Sequence, residues 1–466
     1  MPSTTASAPR TVATRRYAID AFLADIGGVT VSVEPTELKR KSRDFFWYSP
    51  ILDPILKDKF ADVIVMPRGE DDVIRVASAC ARHRIPLTVR GGATGNYGQC
   101  VPLEGGVVLD VARLGALEWT RPGVVRVGAG AKMDWLDREL QPMGYEQRMH
   151  PSTKRSATVG GFVAGGSAGV GSVTYGGLRE PGNILAARVI TLTAQPRVIE
   201  LRGDAAQKIN RAYGTTGIIT VLEMPLSPAW PWIDMIVAFD DFLEAVRYGQ
   251  RLAMADGIIK KLLSVIAWPL PHYFGALRHY CPEGKHLLIG MIAEASLEIC
   301  KTLLDHAGGE ITFEALSDDS PGQAPLYEYT WNHTTLQVLK SDRSMTYLQC
   351  LFPGDQLLES VKYANARFGG ELMQHLEFIR FGGAVTASAL PVVRYTTAQR
   401  LDQIIRDHEA AGIMVANPHV YTLEDGSRHK RVDADQLGFK HEVDPLGLLN
   451  PGKMRSFIPR LPGALH

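Results

Sequence analysis

Arg90-Gly91-Gly92-Ala93-Thr94-Gly95-Asn96 follows a short apolar run, Ile85-Pro86-Leu87-Thr88-Val89, that reads as a strand. Three glycines within five residues let the backbone turn tightly and bring its N–H groups up to a ligand with no Cβ in the way. Successive N–H groups turned into one concavity make a nest for an anion, most often a phosphate. A Gly-rich turn standing alone is as often a structural loop. Here a second such stretch follows, Ala157-Thr158-Val159-Gly160-Gly161-Phe162-Val163-Ala164-Gly165-Gly166-Ser167. Tyr175-Gly176 comes next, and then Gly214-Thr215-Thr216-Gly217-Ile218-Ile219-Thr220.

In this order and spacing, these stretches resemble the FAD-binding domain of the vanillyl-alcohol oxidase and p-cresol methylhydroxylase (PCMH) family. The resemblance runs from about Arg43 to Pro228 and resumes from Phe439 to Met454. It implies that Arg90, Gly91, Gly92, Ala93, Thr94, Gly95, Asn96 and Tyr97 bind the FAD pyrophosphate. Pro151, Ser152, Thr158, Val159, Gly160, Gly161, Gly165, Gly166 and Ser167 would line the rest of the cofactor. Val173, Tyr175, Gly217, Ile218 and Ile219 would join them. The tail, with Asp444-Pro445 and Leu449-Asn450-Pro451-Gly452-Lys453, looks like the closing signature of the family and brings Asn450 and Lys453 back to the flavin domain. The implied fold class is α+β: a two-subdomain, PCMH-type FAD-binding domain with an inserted antiparallel-sheet cap. The expected boundaries are 1–228 for the FAD domain, 229–425 for the cap and 426–466 for the return segment, with 1–16 a disordered tail.

Read without the resemblance, individual residues keep plainer alternatives. The hydroxyls of Thr94, Ser152, Thr158 and Ser167 suit a phosphate or ribityl chain, and suit equally a turn or cap bonded to its own backbone. Arg90 serves either a pyrophosphate or a surface salt bridge. Many members of the family tether FAD through a His in the first loop, where this chain has Ala93 and Thr94, so the expectation is non-covalent FAD. His150 and Cys100 are the alternative tethers. A bulky side chain at Gly92 or Gly160 is expected to exclude the ligand. A nicotinamide-type reading of Val127-Gly128-Ala129-Gly130 fails because Met133 stands where a third glycine belongs. The acidic residue that reading needs would fall in Gly144-Tyr145-Glu146-Gln147, which reads as too polar for a strand.

The 466 residues favour more than one domain, and 45% hydrophobic residues suffice for normal cores. Fifty basic residues balance fifty acidic ones, which argues against a general nucleic-acid binder. Five scattered cysteines show no metal spacing and suit reduced thiols in a cytoplasmic protein. No apolar run approaches the roughly 20 residues that span a bilayer. The acid-free first sixteen residues also match an organelle transit peptide, and they lack the apolar core of a secretory signal.

Along the chain, the apolar Val63-Ile64-Val65-Met66-Pro67, the helix from Asp71 to Arg84 and the strand before Arg90 form a strand–helix–strand unit. Further strands are expected at 106–111, 124–127, 184–193, 197–201 and 218–224, with helices at 132–140 and 205–213. Pro225, Pro228 and Pro231 read as a linker. Beyond it the pattern repeats weakly. Strands at 233–239, 287–292 and 311–316 alternate with helices at 242–255 and 295–307. Strands at 346–352, 372–380, 384–390 and 413–415 then alternate with helices at 356–368 and 398–412. Such alternation suggests an antiparallel sheet backed by helices.

Flavin chemistry needs a C–H presented to the ring and a group for the departing proton. Tyr327, Tyr329, Trp331 and His333 share a side if that stretch is extended. The catalytic candidates are His419, Tyr421, Arg343, His375 and Tyr329, with His419 and Tyr421 the preferred pair. Each has a purely structural alternative. His272 and His279 have the spacing of a metal pair in an unlike context, so no metal is expected. The favoured function is an FAD-dependent oxidase or dehydrogenase taking hydride from an alcohol, hydroxy acid or phenolic substrate. Oxygen or an electron-acceptor protein would reoxidise the flavin. Aromatic residues such as Trp268, Tyr273 and Phe274 point towards an aromatic substrate, and a homodimer is among the expectations. The alternatives are a double-bond reductase or lyase on the same fold, and a non-catalytic flavin carrier.

Overall fold

Short apolar strands set the first layer. Val63–Met66 and Leu87–Arg90 both pair in parallel with Val107–Asp110 between them, and Thr30–Ser32 adds an antiparallel edge. The helix Glu70–His83 turns Val73, Val76, Ala77 and Cys80 onto this sheet. Its first turn places Glu70, Asp71 and Asp72 at the positive end of the helix dipole. The computed structural model describes residues 16–166, 168–317, 324–426 and 432–459. All of the expected disordered tail except Arg16 therefore lies outside the described residues.

The second sheet is built around the strand Ile218–Pro228, antiparallel to Val124–Gly128, Ala186–Ile190 and Tyr145–Gln147. Two expectations need correction here. The strand runs on through the supposed linker, because Pro225 and Pro228 pair with Val124 and Tyr145 at the ends of their ladders. A missing N–H does least harm there. Tyr145–Gln147 is a strand despite its polarity. Glu146 accepts from Lys261 Nζ at 2.7 Å and from Trp232 Nε1 at 2.9 Å, so its charge is buried with partners. The expected helix at 205–213 is a 3-10 segment, Gly203–Ile209.

An eight-stranded antiparallel sheet follows, in the order Glu310–Leu316, Trp232–Phe239, His286–Ala293, Lys260–Ile266, His375–Phe381, Ala384–Ala389, Cys350–Phe352, Met414–Val415. Numbered within its own half, each four-strand set reads 4-1-3-2 from the outer edge to the joint. Helices follow the first and third strands of each half: Phe242–Met254 and Leu297–Leu304, then Leu357–Phe368 and Ala398–Ala410. The weak repeat in the sequence is thus two βαββαβ units joined edge to edge. Lys260–Ile266 escaped the sequence reading because lysines ordinarily face solvent and mask a buried strand. Both lysines are buried: Lys260 Nζ donates to the carbonyl of Ala255 at 2.6 Å, and Lys261 pairs with Glu146. Among the described residues no helix is long and apolar enough to cross a membrane.

The Lys261–Glu146 pair joins the second sheet to the cap, with both side chains almost wholly buried. Lys261→Met leaves Glu146 charged and poorly compensated, which should destabilise the protein by about 3–5 kcal/mol. Adding Glu146→Gln should recover most of that loss. Denaturant unfolding of the two variants checks both halves of this expectation.

Candidate functional site

One cavity of about 660 Å³ opens between the cap and the first two sheets, a size typical of small-molecule and cofactor sites. The loop after the edge strand Leu87–Arg90 forms part of its wall, with every residue from Gly91 to Asn96 exposed to it. Among the described residues, no group accepts from the backbone N–H of Gly91, Gly92, Ala93, Thr94, Gly95 or Asn96. Ala93 sits at φ +52°, the left-handed turn that points consecutive N–H groups into one concavity. The result is an anion nest with its donors free.

The nest is held from behind. Arg90 donates through one guanidinium nitrogen to the carbonyls of Lys41 at 3.0 Å and Arg43 at 2.7 Å; it does not line the cavity and makes no salt bridge among the described residues. Phe45 N–H donates to Gly95 O. Asn450 Nδ2 donates to Gln99 O at 2.8 Å and Tyr213 O at 2.6 Å, and Lys453 Nζ to Gly98 O at 2.6 Å. Asn450 and Lys453 therefore support the loop and stay out of the wall. Lys453 is fully buried and faces buried Asp44; burial lowers the pKa of the lysine and raises that of the acid, while their attraction works the other way.

Thr158 caps the helix Val159–Gly165 by accepting from Gly161 N–H at 3.2 Å, the plainer of its two readings. A Cβ on Gly92 would lie 2.3 Å from Ser156 O, and one on Gly160 would lie 2.6 Å from Ala129 Cβ. These glycines allow the chain to pack against itself, so a bulky residue there disturbs the loop before it meets any ligand. Gly166, at φ +61°, has Arg211 Cβ 1.9 Å from its Cβ position.

Of the remaining expected cofactor residues, Tyr97, Pro151, Ser152, Thr158, Gly160, Gly161, Gly165, Gly166, Gly217 and Ile219 line the cavity. Val159, Val173 and Ile218 turn into hydrophobic cores instead. Tyr175 takes Arg148 over its ring at 5.2 Å and is not in the wall. Ser167 lies outside the described residues.

None of the five catalytic candidates lines the cavity. His419 bridges Ser49 Oγ at 2.8 Å and Tyr347 O at 2.9 Å, and burial lowers its pKa to about 4. Tyr421 packs near Leu56 with Lys453 over its ring at 5.0 Å. Arg343 stacks on Trp47 at 4.4 Å. His375 is fully buried against Ser264 and Glu377. Tyr329 sits in the 3-10 turn Leu326–Tyr329, edge-on to Phe274, so the stretch expected to be extended is not. Each side chain satisfies a partner distant in sequence, and no local pattern announces such a partner. Of the two alternative tethers, His150 is buried outside the wall, and burial followed by Lys154 and Lys261 holds its pKa well below the usual value. Cys100 does line the cavity, with its thiol pushed up to about 12 by burial and then by Asp44.

Polar wall residues that went unnoticed in the sequence include Gln99, Arg179, Glu180, Arg211 and Asn332. Arg179 carried a signal, a charged residue just after Gly176-Gly177. Arg179 is exposed at the mouth and Arg211 half-buried, and neither guanidinium has a hydrogen bond or ion pair among the described residues. Desolvation and then Arg211 lower the pKa of Arg179, and the carboxylate of Asp433 opposes them.

Residues 61–201 match the family described as FAD binding domain. A stretch of 207 residues is 27% identical to the glycolate oxidase subunit GlcD of Escherichia coli (strain K12), covering 42% of this chain and 41% of that protein. Over 189 residues the chain is 29% identical to D-lactate dehydrogenase of Archaeoglobus fulgidus, covering 38% and 41% of the two chains. The matches thus span about two-fifths of these relatives. The structure of alkyldihydroxyacetonephosphate synthase superposes with a TM-score of 0.70 at 16% identity, over 93% of this chain and 84% of that one, so the fold is shared. The free donor nest, with glycines on both sides of it, suits the pyrophosphate of FAD.

Asn450→Ala should strand two buried carbonyls, at about 1–3 kcal/mol each, and loosen the nest. FAD affinity is expected to fall at least about ten-fold, a change of about 1.4 kcal/mol. Titration of apoprotein with FAD, followed by flavin fluorescence, checks this; an unchanged Kd would mean that the loop holds its shape without the return segment.

Proposed function

We propose, from a chain that carries an FAD-binding domain of the PCMH type, that it is an FAD-dependent oxidoreductase of the vanillyl-alcohol oxidase kind acting on a 2-hydroxy acid. The observation that carries this reading is the pair of guanidinium groups, Arg179 and Arg211, on the wall of the cavity, neither of them hydrogen-bonded or ion-paired among the described residues. Guanidinium groups bind carboxylates through paired, charge-assisted hydrogen bonds. Two of them close together repel each other until an anion arrives between them. The names of the relatives support the same class, since glycolate and D-lactate are both 2-hydroxy acids. Leu351, Ile379, Phe381, Leu390 and Met414 line the cap side and suit an apolar or aromatic substituent on the acid.

The N–H groups from Gly91 to Asn96 would hold the pyrophosphate, with backbone at Gly160, Gly161, Gly217 and Ile219 along the rest of the cofactor. Bound FAD would supply the acceptor for a hydride. The substrate would give up the hydrogen on C2 with two electrons, and its hydroxyl proton would pass to Glu180, a wall carboxylate beside Arg179 that also accepts from Gly382 N–H at 2.8 Å. A 2-oxo acid results, and oxygen or an electron-carrier protein takes the two electrons on. FAD is held without a covalent bond, because the loop has neither His nor Cys and the Cys100 thiol is kept protonated. All five cysteines are unpaired and buried, which supports a reducing, cytoplasmic setting.

Anaerobic mixing with glycolate, both lactates, both phenyllactates and benzyl alcohol tests this reading by bleaching of the flavin. One phenyllactate enantiomer should bleach it and benzyl alcohol should not. Arg179→Met should raise KM for the acid about ten- to hundred-fold with flavin content unchanged. Bleaching by the neutral alcohol alone, or loss of FAD from the Arg179 variant, would contradict it.

A further inference from the structure

Arg211 and Tyr213 both stand at positive φ, +53° and +51°, in the turn that precedes Gly214. Residues as bulky as these enter that region only under strain, whereas a glycine at either place would take it freely. The surroundings hold the strain in place. Arg211 N–H donates to Val163 O and Tyr213 N–H to Ala164 O, both at 3.0 Å, so the turn closes the last carbonyls of the helix Val159–Gly165. Tyr213 O accepts from Asn450 Nδ2, and Thr215 Oγ1 donates to Ala212 O at 2.7 Å. Gly166, with no side chain of its own, leaves room for Arg211 Cβ.

Both strained residues line the cavity. Tyr213 packs with Leu423 and Met454, and its hydroxyl keeps accessible surface while having no hydrogen-bond partner among the described residues. The Tyr97 phenol, on the same wall, shows where the two side chains lie: burial raises its pKa, Tyr213 raises it further and Arg211 opposes them. An O–H donor and a guanidinium thus share one stretch of wall. Strain at two residues facing one cavity, held by five separate contacts, points to a role for their side chains. The donors of the nest are backbone N–H groups of the loop after Arg90, so this hydroxyl is not part of the phosphate cradle.

We propose that Tyr213 is a further substrate-binding residue, whose phenol O–H donates to the carboxylate that Arg211 holds. This assignment rests on the hydroxy-acid reading above. The two oxygens of a carboxylate have lone pairs enough for two guanidinium groups and a hydroxyl. Hydrogen bonds to an ionised acceptor are the strong ones, and a donor on a rigid ring adds direction to them. The strained turn fixes Arg211 and Tyr213 two residues apart on one backbone, so it orients the acid as a unit.

The test uses holoenzyme, the phenyllactate enantiomer that reduces the flavin, and phenylpropanoate, the same acid without its hydroxyl, as a competitive inhibitor. Tyr213→Phe keeps the ring and removes only the O–H. KM for the substrate and the inhibition constant of phenylpropanoate should both rise about ten-fold, with FAD content and the visible flavin spectrum unchanged. If wild type turns over and the variant keeps both constants, the assignment is overturned and the hydroxy-acid reading survives. A raised KM with an unchanged inhibition constant also overturns it, because the phenol would then touch the alcohol rather than the carboxylate. Lost FAD or a shifted flavin spectrum in the variant overturns it too, since the phenol would then face the cofactor. A wild-type flavin that neither enantiomer reduces, or a wild type that phenylpropanoate does not inhibit, overturns the underlying reading and this assignment with it.

Discussion

Six consecutive residues, Gly91 to Asn96, line the cavity, and none of their backbone N–H groups has an acceptor among the described residues. A loop in that state cannot hold itself together, because the bonds that would normally fix it are left for a ligand. Its shape is imposed from outside, by Arg90 on the carbonyls of Lys41 and Arg43 and by Asn450 and Lys453 on the carbonyls of Gln99, Tyr213 and Gly98. The last two partners come from more than three hundred residues further along the chain. Leu87 N–H also donates to Leu448 O, and Asn450 N–H to Leu87 O, so the return segment covers the free edge of the first sheet. The far end of the chain thus braces one wall of the cavity.

The cap is tied to the same framework by a different kind of contact. Lys261 reaches across to Glu146, and Gly171 N–H donates to Lys261 O beside it. This fixes the inner strands of the cap over the second sheet. Those strands carry His375 and Glu377, which in turn hold Trp331 in a strained conformation, φ +53°, on the cavity wall. Buried charge thus serves twice here, once to join the two parts and once to shape one wall of the cavity.

The sequence made the periodic parts legible and hid the parts that depend on long-range pairing. The helix Glu70–His83 and the helices of the cap follow apolar spacing, and the Gly-rich loop lies where it was read. Lys260–Ile266 and Tyr145–Gln147 were missed because Lys261 and Glu146 look exposed until each is seen as the partner of the other. The same blindness misplaced the catalytic candidates. His419 looked reactive beside Tyr421, yet its two nitrogens are taken up by Ser49 and Tyr347. Arg179 and Arg211 were overlooked for the opposite reason: an arginine in a loop is usually solvated or paired, and only the fold shows these two on the cavity wall with no hydrogen bond or ion pair among the described residues.

The central claim is that the free N–H groups of the Gly91–Asn96 loop form a nest for a pyrophosphate. Calorimetric titration of apoprotein with FAD and with riboflavin, which has the same ring and no phosphate, tests it most directly. FAD should bind at least about a hundred-fold more tightly, about 2.7 kcal/mol, with the difference shrinking as salt is raised. Riboflavin binding as tightly as FAD would show that the ring alone carries the affinity and that the loop is an ordinary turn.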